Sequence, residues 1–396
     1  MPTDDGQPSP RQPRPLQGIR VLDLGRVLAG PFCGMLLADL GAEVIKVEPP
    51  GHGDDARQFG PHVEGASTYF RLFNRNKLGI VLDLKQPDDL ARLKGLVERS
   101  DVLIENFRPG TLERLGVAVP ALLALNPRLI VASISGFGQT GPLRSRPAYD
   151  VLVQAMSGLM AATGPAGGEP TRVGVSLGDL VPGLYAALGV TAALHQRTTT
   201  GCGQHIDIAM LDALMSMLES VGMRALHSDE PIVPLGNDHA LSAPFGTFAT
   251  ADGPIVIAIA NDPLFERFAA AFGHPEWASD ARFDQDARRA RHRDELRTLI
   301  EKALTGIARV EALALLEAAA IPAGPVLGVR EALAQPQVLA RDMVVTEEDG
   351  FRTIGTPLKL TGVPPIRPRP APALAEHNHL VERWLAEPPR TGPPPG

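Results

Sequence analysis

Short apolar runs alternate with amphipathic stretches over the first 220 residues of this chain. Residues 19–24 form an apolar run that ends at Gly25, which suits a buried strand. Residues 31–40 then carry apolar side chains at helical spacing, Gly41 is a helix stop, and residues 42–48 form a second strand. This strand–helix–strand unit predicts a parallel sheet with a right-handed crossover.

The same alternation continues along the chain. It predicts further strands at 78–84, 102–105, 129–135 and 203–210. It predicts helices at 88–99, from 111 onward, and at 149–160, 180–197 and 211–220. Repeated alternation of this kind is typical of a layered α/β fold.

The pattern changes near residue 225. A loop-like stretch rich in Pro and Gly leads into two strands, 245–250 and 255–260, around the turn Ala251-Asp-Gly253, and charged helices follow. We expect a large Rossmann-like domain built from both chain ends, with a smaller α+β domain between them. The predicted segments are a disordered tail (1–15), the large domain (16–225), the small domain (226–330), a return to the large domain (331–388) and a second tail (389–396).

Composition and charge narrow the class. The chain is 44% hydrophobic and 21% charged, with a net charge of -7, which is usual for a globular enzyme and argues against a large nucleic-acid footprint. Neither a secretory signal nor a long apolar run is evident, so we expect no membrane span. Two cysteines and ten scattered histidines show no disulfide framework or metal spacing, which favours a reducing cytoplasm and no metal.

Asp179 is the residue with the clearest chemical interest. It follows Gly178 where a Gly-rich loop meets the long apolar helix. A carboxylate at a helix N-terminus is stabilised as an anion, and the backbone N–H groups there could stabilise an oxyanion. Asp is also a preferred helix cap, so spacing alone favours a plain N-cap.

A set of ordered motifs between about residues 17 and 365 resembles the class III CoA-transferase family, the formyl-CoA transferase type. The motifs are Gly18-Ile-Arg-Val-Leu-Asp23, Arg26-Val-Leu-Ala-Gly-Pro31, Leu40-Gly-Ala-Glu-Val-Ile-Lys-Val-Glu48, Gly51-His-Gly-Asp54, Asn74-Arg-Asn-Lys77, Leu82-Asp-Leu-Lys85, Glu105-Asn-Phe-Arg-Pro-Gly110, Gly136-Phe-Gly138, Gly178-Asp179, Gly203-Gln-His-Ile-Asp207 and Ile321-Pro-Ala-Gly-Pro325. Any one of these motifs is weak evidence for the family, whereas the complete set in this order is specific for it.

The resemblance implies that Asp179 attacks an acyl-CoA thioester, forms a mixed anhydride and then an aspartyl-CoA thioester, and passes CoA to a free acid. It also implies coenzyme A or acyl-CoA as a substrate, no permanently bound cofactor, and an interlocked homodimer. The residues that match the family's CoA-contacting or active-site positions are Val27, Leu28, Ala29, Leu82, Asp83, Leu84, Lys85, Asn106, Phe107, Arg114, Tyr149 and Asp150. Core packing is the competing explanation for Leu82, Leu84 and Phe107.

Departures from the family pattern shape the substrate expectation. Leu28 stands where formyl-CoA transferases carry a glutamine, and residues 236–244 replace their Gly-only lid. The chain therefore looks more like the succinyl-CoA-dependent members, so we expect a carboxylic or dicarboxylic acceptor rather than formate or oxalate. Arg26, Arg75 and Arg172 are candidates to bind a second carboxylate. The alternatives are an acyl-CoA racemase or epimerase of the same fold and a non-catalytic CoA-binding protein.

Overall fold

The computed structural model describes residues 13–363 and 367–390 of the chain. The fold is α/β, and these residues form two compact units. The first unit comprises residues up to 159, 172–227 and 337 onward, and the second comprises 160–171 and 228–336. The expected first tail falls mostly outside the described residues, as do residues 391–396 of the second.

The strands of the described residues, in chain order, are β1 Arg20–Asp23, β2 Glu43–Glu48, β3 His62–Val63, β4 Ala66–Ser67, β5 Leu78–Val81, β6 Val102–Glu105, β7 Ile130–Ser135, β8 His205–Ala209, β9 Phe245–Thr250, β10 Gly253–Ala258, β11 Ala323–Pro325, β12 Val344–Thr346 and β13 Arg352–Ile354. Six of them form one sheet in the order β5-β2-β1-β6-β7-β8. Every pair in this sheet is parallel, as the strand–helix alternation predicts.

The α-helices of the described residues, in chain order, are α1 Ala29–Asp39, α2 Thr68–Asn74, α3 Pro87–Glu98, α4 Thr111–Arg114, α5 Val119–Leu125, α6 Asp150–Met156, α7 Leu159–Ala162, α8 Leu177–Thr200, α9 Met210–Met215, α10 Glu219–His227, α11 Asp262–Ala271, α12 Asp286–Arg291, α13 Arg293–Leu304, α14 Arg309–Ala318, α15 Val329–Leu333, α16 Pro336–Ala340 and α17 Val381–Ala386. Three 3-10 turns lie at Asp55–Gln58, Pro275–Ser279 and Asn378–Leu380.

The six-stranded sheet is buried on both faces. Val21, Val44 and Val102 pack on one side against helices α1 and α8. The alternate residues, such as Leu22 and Leu103, pack on the other side with side chains of α3 and α17. A parallel sheet covered on both faces needs apolar residues at successive positions, which is why the strands read as continuous apolar runs.

The strand order reverses between β1 and β6. In open parallel sheets, ligands bind in the crevice beyond the carboxyl ends of the strands at such a reversal. The loops after β1 and β6 meet there, since the side chain of Asn106 hydrogen-bonds both backbone groups of Arg26. The fold therefore directs attention to residues 24–28 and 106–110.

The second unit has its own core. Strands β9, β10 and β11 form an antiparallel sheet. Phe248, Ile255 and Ile257 of this sheet pack with Phe265 and Leu296 from the helices of the unit. The hairpin turn at 251–253 lies where the sequence predicts it.

Several elements differ from expectation. The predicted helix at 211–220 is two helices, α9 and α10, and α10 extends to His227 into the predicted loop. The short helix α2 is absent from the sequence prediction because its seven residues carry no clear amphipathic period. Residues 160–171, assigned by sequence to the large domain, belong to the second unit.

Helix α8 is the one described helix that is long and apolar enough to cross a membrane by length and composition alone. Half of its most apolar window is buried inside the protein. A core helix of a globular protein passes the same test, so this finding is weak evidence for a membrane span.

Candidate active site

The loop that joins β1 to α1 is built on a close backbone contact. A Cβ atom added to Gly25 would lie 2.7 Å from the Cα of Gly30, and one added to Gly30 would lie 2.7 Å from the Cα of Gly25. Neither position tolerates a side chain without movement of the other. The two glycines therefore allow the tight turn that brings the start of α1 beside the end of β1.

Val27 lies at the centre of this loop with φ = 64°. This left-handed conformation costs a non-glycine residue about 1–2 kcal/mol, and it is a clear outlier for a β-branched residue. The backbone persists in it because neighbouring groups hold it. The amide of Val27 donates to both carboxylate oxygens of Asp54, at 3.0 and 3.2 Å.

Asp54 is itself held by a buried lysine. The ammonium of Lys46 lies 2.7 Å from Asp54 Oδ2 and also donates to the carbonyl of Gly25. Both side chains are almost completely excluded from solvent. Burial alone would raise the pKa of Asp54, but the charge of Lys46 and the hydrogen bonds that Asp54 accepts bring it below its ordinary value. The carboxylate therefore remains charged and accepts from Val27.

Asp179 lies in the first turn of α8, but it does not cap the helix. The helix begins at Leu177 after Ser176, and no side chain of Ser176 caps it. Instead, Oδ1 of the buried Asp150 accepts from the amide of Gly178 at 2.8 Å. The interpretation of Asp179 as an N-cap is therefore wrong. The side chain of Asp150, in α6, accepts the amide hydrogen bond that a capping side chain would accept.

Asp150 is fixed by two further contacts. The amide of Gln154, whose side chain is fully buried, donates to Asp150 Oδ1 at 2.8 Å. The guanidinium of Arg172 lies 3.1 Å from Asp150 Oδ2 and remains nearly half exposed. This network sets the position of the first turn of α8.

The carboxylate of Asp179 accepts no hydrogen bond from any side chain or amide in the described part of the chain. Burial, with the negative charge of Asp150, raises its pKa to about 7. A carboxylate that is half-buried and unpartnered is weakly solvated, which makes it more nucleophilic than one in water. These are the properties that covalent catalysis by a carboxylate requires.

The backbone amides at the start of α8 are already engaged. Leu177 donates to the carbonyl of Val175, while Asp179 and Leu180 donate to that of Ser176. With Gly178 bound to Asp150, the four amides do not form the oxyanion site that the sequence suggests. Helix α1 differs, because Leu28 makes no side-chain cap and the first amides of a helix lack intrahelical acceptors.

The starts of α1 and α8 share an apolar cluster. Val27, Leu28 and Leu180 pack there with Tyr69 of α2. Burial, followed by the charges of Asp179 and two other carboxylates, raises the pKa of the Tyr69 phenol. Sequence analysis does not identify Tyr69 as a site residue. It lies in the seven-residue helix α2, and no motif in the sequence marks it.

The two helices approach at backbone distance. A Cβ atom on Gly183 would lie 2.7 Å from the carbonyl oxygen of Ala29. Leu28 and Ala29 are both buried under this contact. Of the residues matched to the CoA thiol end, Val27, Leu28 and Ala29 therefore lie beside the helix turn that bears Asp179.

The residues matched to the adenine and ribose end have mixed environments. The side chains of Leu82 and Leu84 pack in the apolar core on one face of the sheet, as expected if they are core residues rather than ligand contacts. Lys85 is exposed. Asp83 accepts from the amide of Lys85 at 3.1 Å and so shapes the turn after β5. The backbone of this turn and the side chain of Lys85 are left to contact a ligand.

The loop after β6 is ordered by its own side chains. Phe107 donates its amide to Glu105 at 2.7 Å and packs partly against the core. Burial raises the pKa of Glu105 to about 7.

Arg114 is exposed and donates to the hydroxyl of Thr111 at 2.8 Å, which leaves most of its guanidinium available to a phosphate. Tyr149 is 78% exposed.

The three arginines proposed for a second carboxylate are not equivalent. Arg75 is buried and pairs with Asp39 at 2.6 Å, near the end of α1 remote from Val27. It is therefore already neutralised. Arg26 pairs with Asp55 at 2.6 Å, and Arg172 pairs with Asp150. Asp150, the partner of Arg172, also accepts from the amide of Gly178, the residue before Asp179.

Among the described residues, no group of three or more His, Cys, Asp or Glu side chains is arranged to hold a metal ion. His377 instead accepts from the amide of Gly79 at 3.1 Å and donates its own amide to the carbonyl of that residue, so it extends the β5 edge.

Cys33 is buried, and burial raises the pKa of its thiol well above the ordinary value. It is therefore an inert core residue.

Comparison with known proteins identifies the family of this chain. The model of CoA-transferase family III matches residues 16–378. A protein of Acetobacter aceti named acetyl-CoA:oxalate CoA-transferase is 44% identical over 96% of this chain and 98% of its own length. A protein of Agrobacterium fabrum named succinate–glutarate CoA-transferase is 41% identical over 97% of this chain and 99% of its own.

A solved structure gives the same result for the fold. A CAIB/BAIF family protein from Brucella suis superposes with a TM-score of 0.85 at 38% identity, covering 94% of this chain and 100% of that one. The family match over residues 16–378 and the relatives at 41–44% identity point to the same family. The chain therefore belongs to CoA-transferase family III and is a CoA-transferase.

Proposed function

We propose that this enzyme moves CoA from succinyl-CoA to a free dicarboxylic acid, with Asp179 as the covalent nucleophile. The observation that supports this role is a half-buried carboxylate at the start of α8, beside the apolar start of α1, that has no hydrogen-bond partner among the residues that the structure describes. Three relatives named for succinyl-CoA or succinate, with glutarate, D-citramalate or mesaconate as the second acid, are 38–41% identical to this chain.

The reaction runs in four balanced steps. A carboxylate oxygen of Asp179 attacks the thioester carbon, and the CoA thiolate leaves, which gives a mixed anhydride. The thiolate then attacks the aspartyl carbon, releases succinate and forms an aspartyl-CoA thioester. The acceptor carboxylate attacks that thioester and expels the thiolate, and the thiolate finally attacks the acceptor acyl carbon, which restores the free carboxylate of Asp179.

The chain's own groups support these steps. The apolar side chains of Val27, Leu28 and Leu180 limit the hydration of Asp179, so less water must be removed before attack. The uncapped amides of Ala29 and Gly30 are donors suited to the developing oxyanion. Binding of the remote nucleotide part of CoA at 82–85, 106–107 and Arg114 would supply energy to position the thioester.

The acceptor is proposed from the relatives and from charge. Arg172 has a guanidinium that is nearly half exposed beside Asp150, so it is the cation best placed to bind a second carboxylate. The relative from Acetobacter aceti is named for acetyl-CoA and oxalate, so the expectation that oxalate is not used remains open to test.

The test is a panel of free acids offered with either succinyl-CoA or acetyl-CoA. Mass spectrometry of the CoA products should show transfer from succinyl-CoA to glutarate, mesaconate or a related diacid, with little transfer to monocarboxylic acids. Transfer only from acetyl-CoA to oxalate would contradict the proposed donor and acceptor. Exchange of an α-hydrogen in heavy water without transfer would instead identify a racemase.

We propose also that two copies of the chain form an interlocked homodimer in the cytoplasm. The support is a set of exposed apolar side chains on helices α8 to α10, a stretch of the chain that we call the α8–α10 segment. Its exposed side chains are Leu184, Leu188, Met215, Met217, Met223 and Leu226. Apolar patches of this kind on a single chain usually mark an interface.

Light scattering after size exclusion should therefore give twice the chain mass of 42.1 kDa. Leu184→Glu combined with Leu188→Glu should reduce that mass or prevent folding, because charges would be placed within the buried interface. Val310→Glu is the control, since this valine on α14 is even more exposed than the two leucines. A monomeric wild-type protein at micromolar concentration would contradict the proposal.

A further inference from the structure

The loop at Val27 needs an external device to keep its shape. A β-branched residue with φ = 64° returns to negative φ unless its surroundings prevent this. Its two neighbours along the chain provide part of this restraint. Asn106 holds both backbone groups of Arg26, and the amide of Leu28 donates to the carbonyl of Arg26 at 2.9 Å, which closes a tight turn around Val27.

A second restraint on Val27 comes from Lys46 and Asp54. Lys46 donates to the carbonyl of Gly25, two residues before Val27, while Asp54 accepts from the amide of Val27. The ion pair itself, at 2.7 Å, links these two contacts into one bracket around residues 25–27. Asp54 is anchored in turn, since it accepts from the amide of Ala56 at 3.0 Å and its own amide donates to Glu48 at 2.9 Å.

Stability alone does not account for this arrangement. A buried ion pair gives little net stabilisation over a well-packed apolar pair of similar volume. Its directional hydrogen bonds, however, fix backbone groups in a way that apolar side chains do not. The Lys46–Asp54 pair is therefore better explained by the backbone geometry that it imposes.

That geometry reaches the nucleophile. Val27 and Leu28 pack in one cluster with Leu180, the residue after Asp179. The carbonyl of Ala29 touches Gly183 one turn further along α8. We propose that the Lys46–Asp54 pair is a positioning device for CoA transfer, which holds Val27 in its left-handed conformation and so fixes the start of α1 against the helix that bears Asp179. This inference rests on the proposed role of Asp179.

The proposal predicts a specific pattern of kinetic change. Asp54→Ala should lower kcat by ~100-fold, since a displacement of about 1 Å near reacting groups can have an effect of that size. The KM for acyl-CoA should change by less than ~5-fold, because the loops at 82–85 and 106–110 hold the rest of CoA and do not involve Asp54. Asp294→Ala is the control, since Asp294 is an exposed aspartate in the first turn of α13, in the second unit.

The decisive experiment is a double-mutant cycle with Val27→Gly. Glycine adopts positive φ without strain, so it needs no restraint at this position. In the Val27→Gly background, Asp54→Ala should therefore lower kcat by less than ~10-fold, which is a large departure from additivity. Equal losses in both backgrounds would overturn the proposal, because Asp54 would then act independently of the conformation of Val27.

A second measurement does not depend on the reaction. Hydrogen exchange at the amide of Val27 should be slow in the wild type and fast in Asp54→Ala. Asp54→Asn should lie between them, since its amide oxygen still accepts from Val27, and it serves if Asp54→Ala does not fold. Slow exchange in all folded variants would contradict the positioning role. Protected exchange together with an absence of CoA transfer in the wild type would instead show that the proposed function is wrong.

Discussion

Asp179→Asn is expected to abolish CoA transfer and to make the protein more stable at pH 8. Loss of a covalent nucleophile should reduce kcat by at least ~10⁴-fold, because asparagine forms no anhydride. The structure gives this variant little reason to misfold, since the carboxylate accepts no hydrogen bond from the described residues and does not cap α8. Steady-state kinetics with succinyl-CoA and thermal denaturation measure the two effects.

The gain in stability follows from the raised pKa. Burial and the charge of Asp150 raise the pKa of Asp179 to about 7 in the folded protein, whereas an unfolded aspartate titrates near 4. Between these values the unfolded chain has lost a proton that the folded chain retains, so the free energy of unfolding falls as pH rises. Asparagine avoids this loss, on the order of 4 kcal/mol above pH 7 for a shift of about three pKa units, and the advantage should disappear near pH 4.

The pH profile provides an independent check. The ionised carboxylate is the nucleophile, so kcat/KM should rise with pH to a plateau, with an apparent pKa near 7 in the free enzyme. Asp150→Asn keeps an oxygen for the amide of Gly178 but removes the negative charge, so the apparent pKa should fall. An unchanged profile would show that another group controls the reaction.

A matched control for the stability effect is Asp88→Asn. Asp88 also lies in the first turn of a helix, α3, but it is exposed. Its replacement should change the free energy of unfolding by less than ~0.5 kcal/mol at either pH. Turnover by Asp179→Asn near the wild-type rate would rule out the proposed nucleophile.

Lys77→Met is expected to destabilise the protein by ~3–5 kcal/mol, the cost of leaving a buried charge without its partner. Lys77 and Asp23 are both fully buried and lie 2.7 Å apart. The ammonium also donates to the carbonyl of Pro31 and to the side chain of Asn74, at 2.8 and 2.9 Å. Chemical denaturation of the wild type and the variant measures this difference.

The double variant Lys77→Met with Asp23→Asn separates charge from packing. Asparagine still accepts from the amide of Gly25, which donates to Asp23 at 2.8 Å in the wild type, but it carries no charge. Most of the lost stability should therefore return. Lys94→Met on the exposed side of α3 should change stability by less than ~0.5 kcal/mol. A double variant as unstable as Lys77→Met would contradict the charge explanation.

The strand segments along the chain and the position of Asp179 are predictable from the sequence, because both depend on local patterns. Continuous apolar runs indicate strands buried on two faces, and strand β6 was predicted with its observed ends. The Gly178-Asp179 pair was placed by motif at the start of the long helix, and the structure has it there.

The remaining parts of the site depend on contacts between distant residues. Lys46 lies in a strand whose pattern gives no sign that its ammonium is buried, and its partner Asp54 is in a Gly-rich loop. The capping of α8 by Asp150 joins residues 28 positions apart. Tyr69 lies on a helix too short for its period to be read. Local propensity carries no information on such pairings, which form only when the sheet assembles.

The contact between Gly183 and Ala29 has a consequence for protein engineering. Because backbone meets backbone there, the spacing of the two helices does not depend on the size of any side chain. Mutant libraries that aim at new acyl groups can therefore vary the side chains in the first turns of α1 and α8. The distance between the two helices should stay constant in such variants. A residue larger than glycine at position 183 would instead force the two helices apart, and activity on every substrate should change.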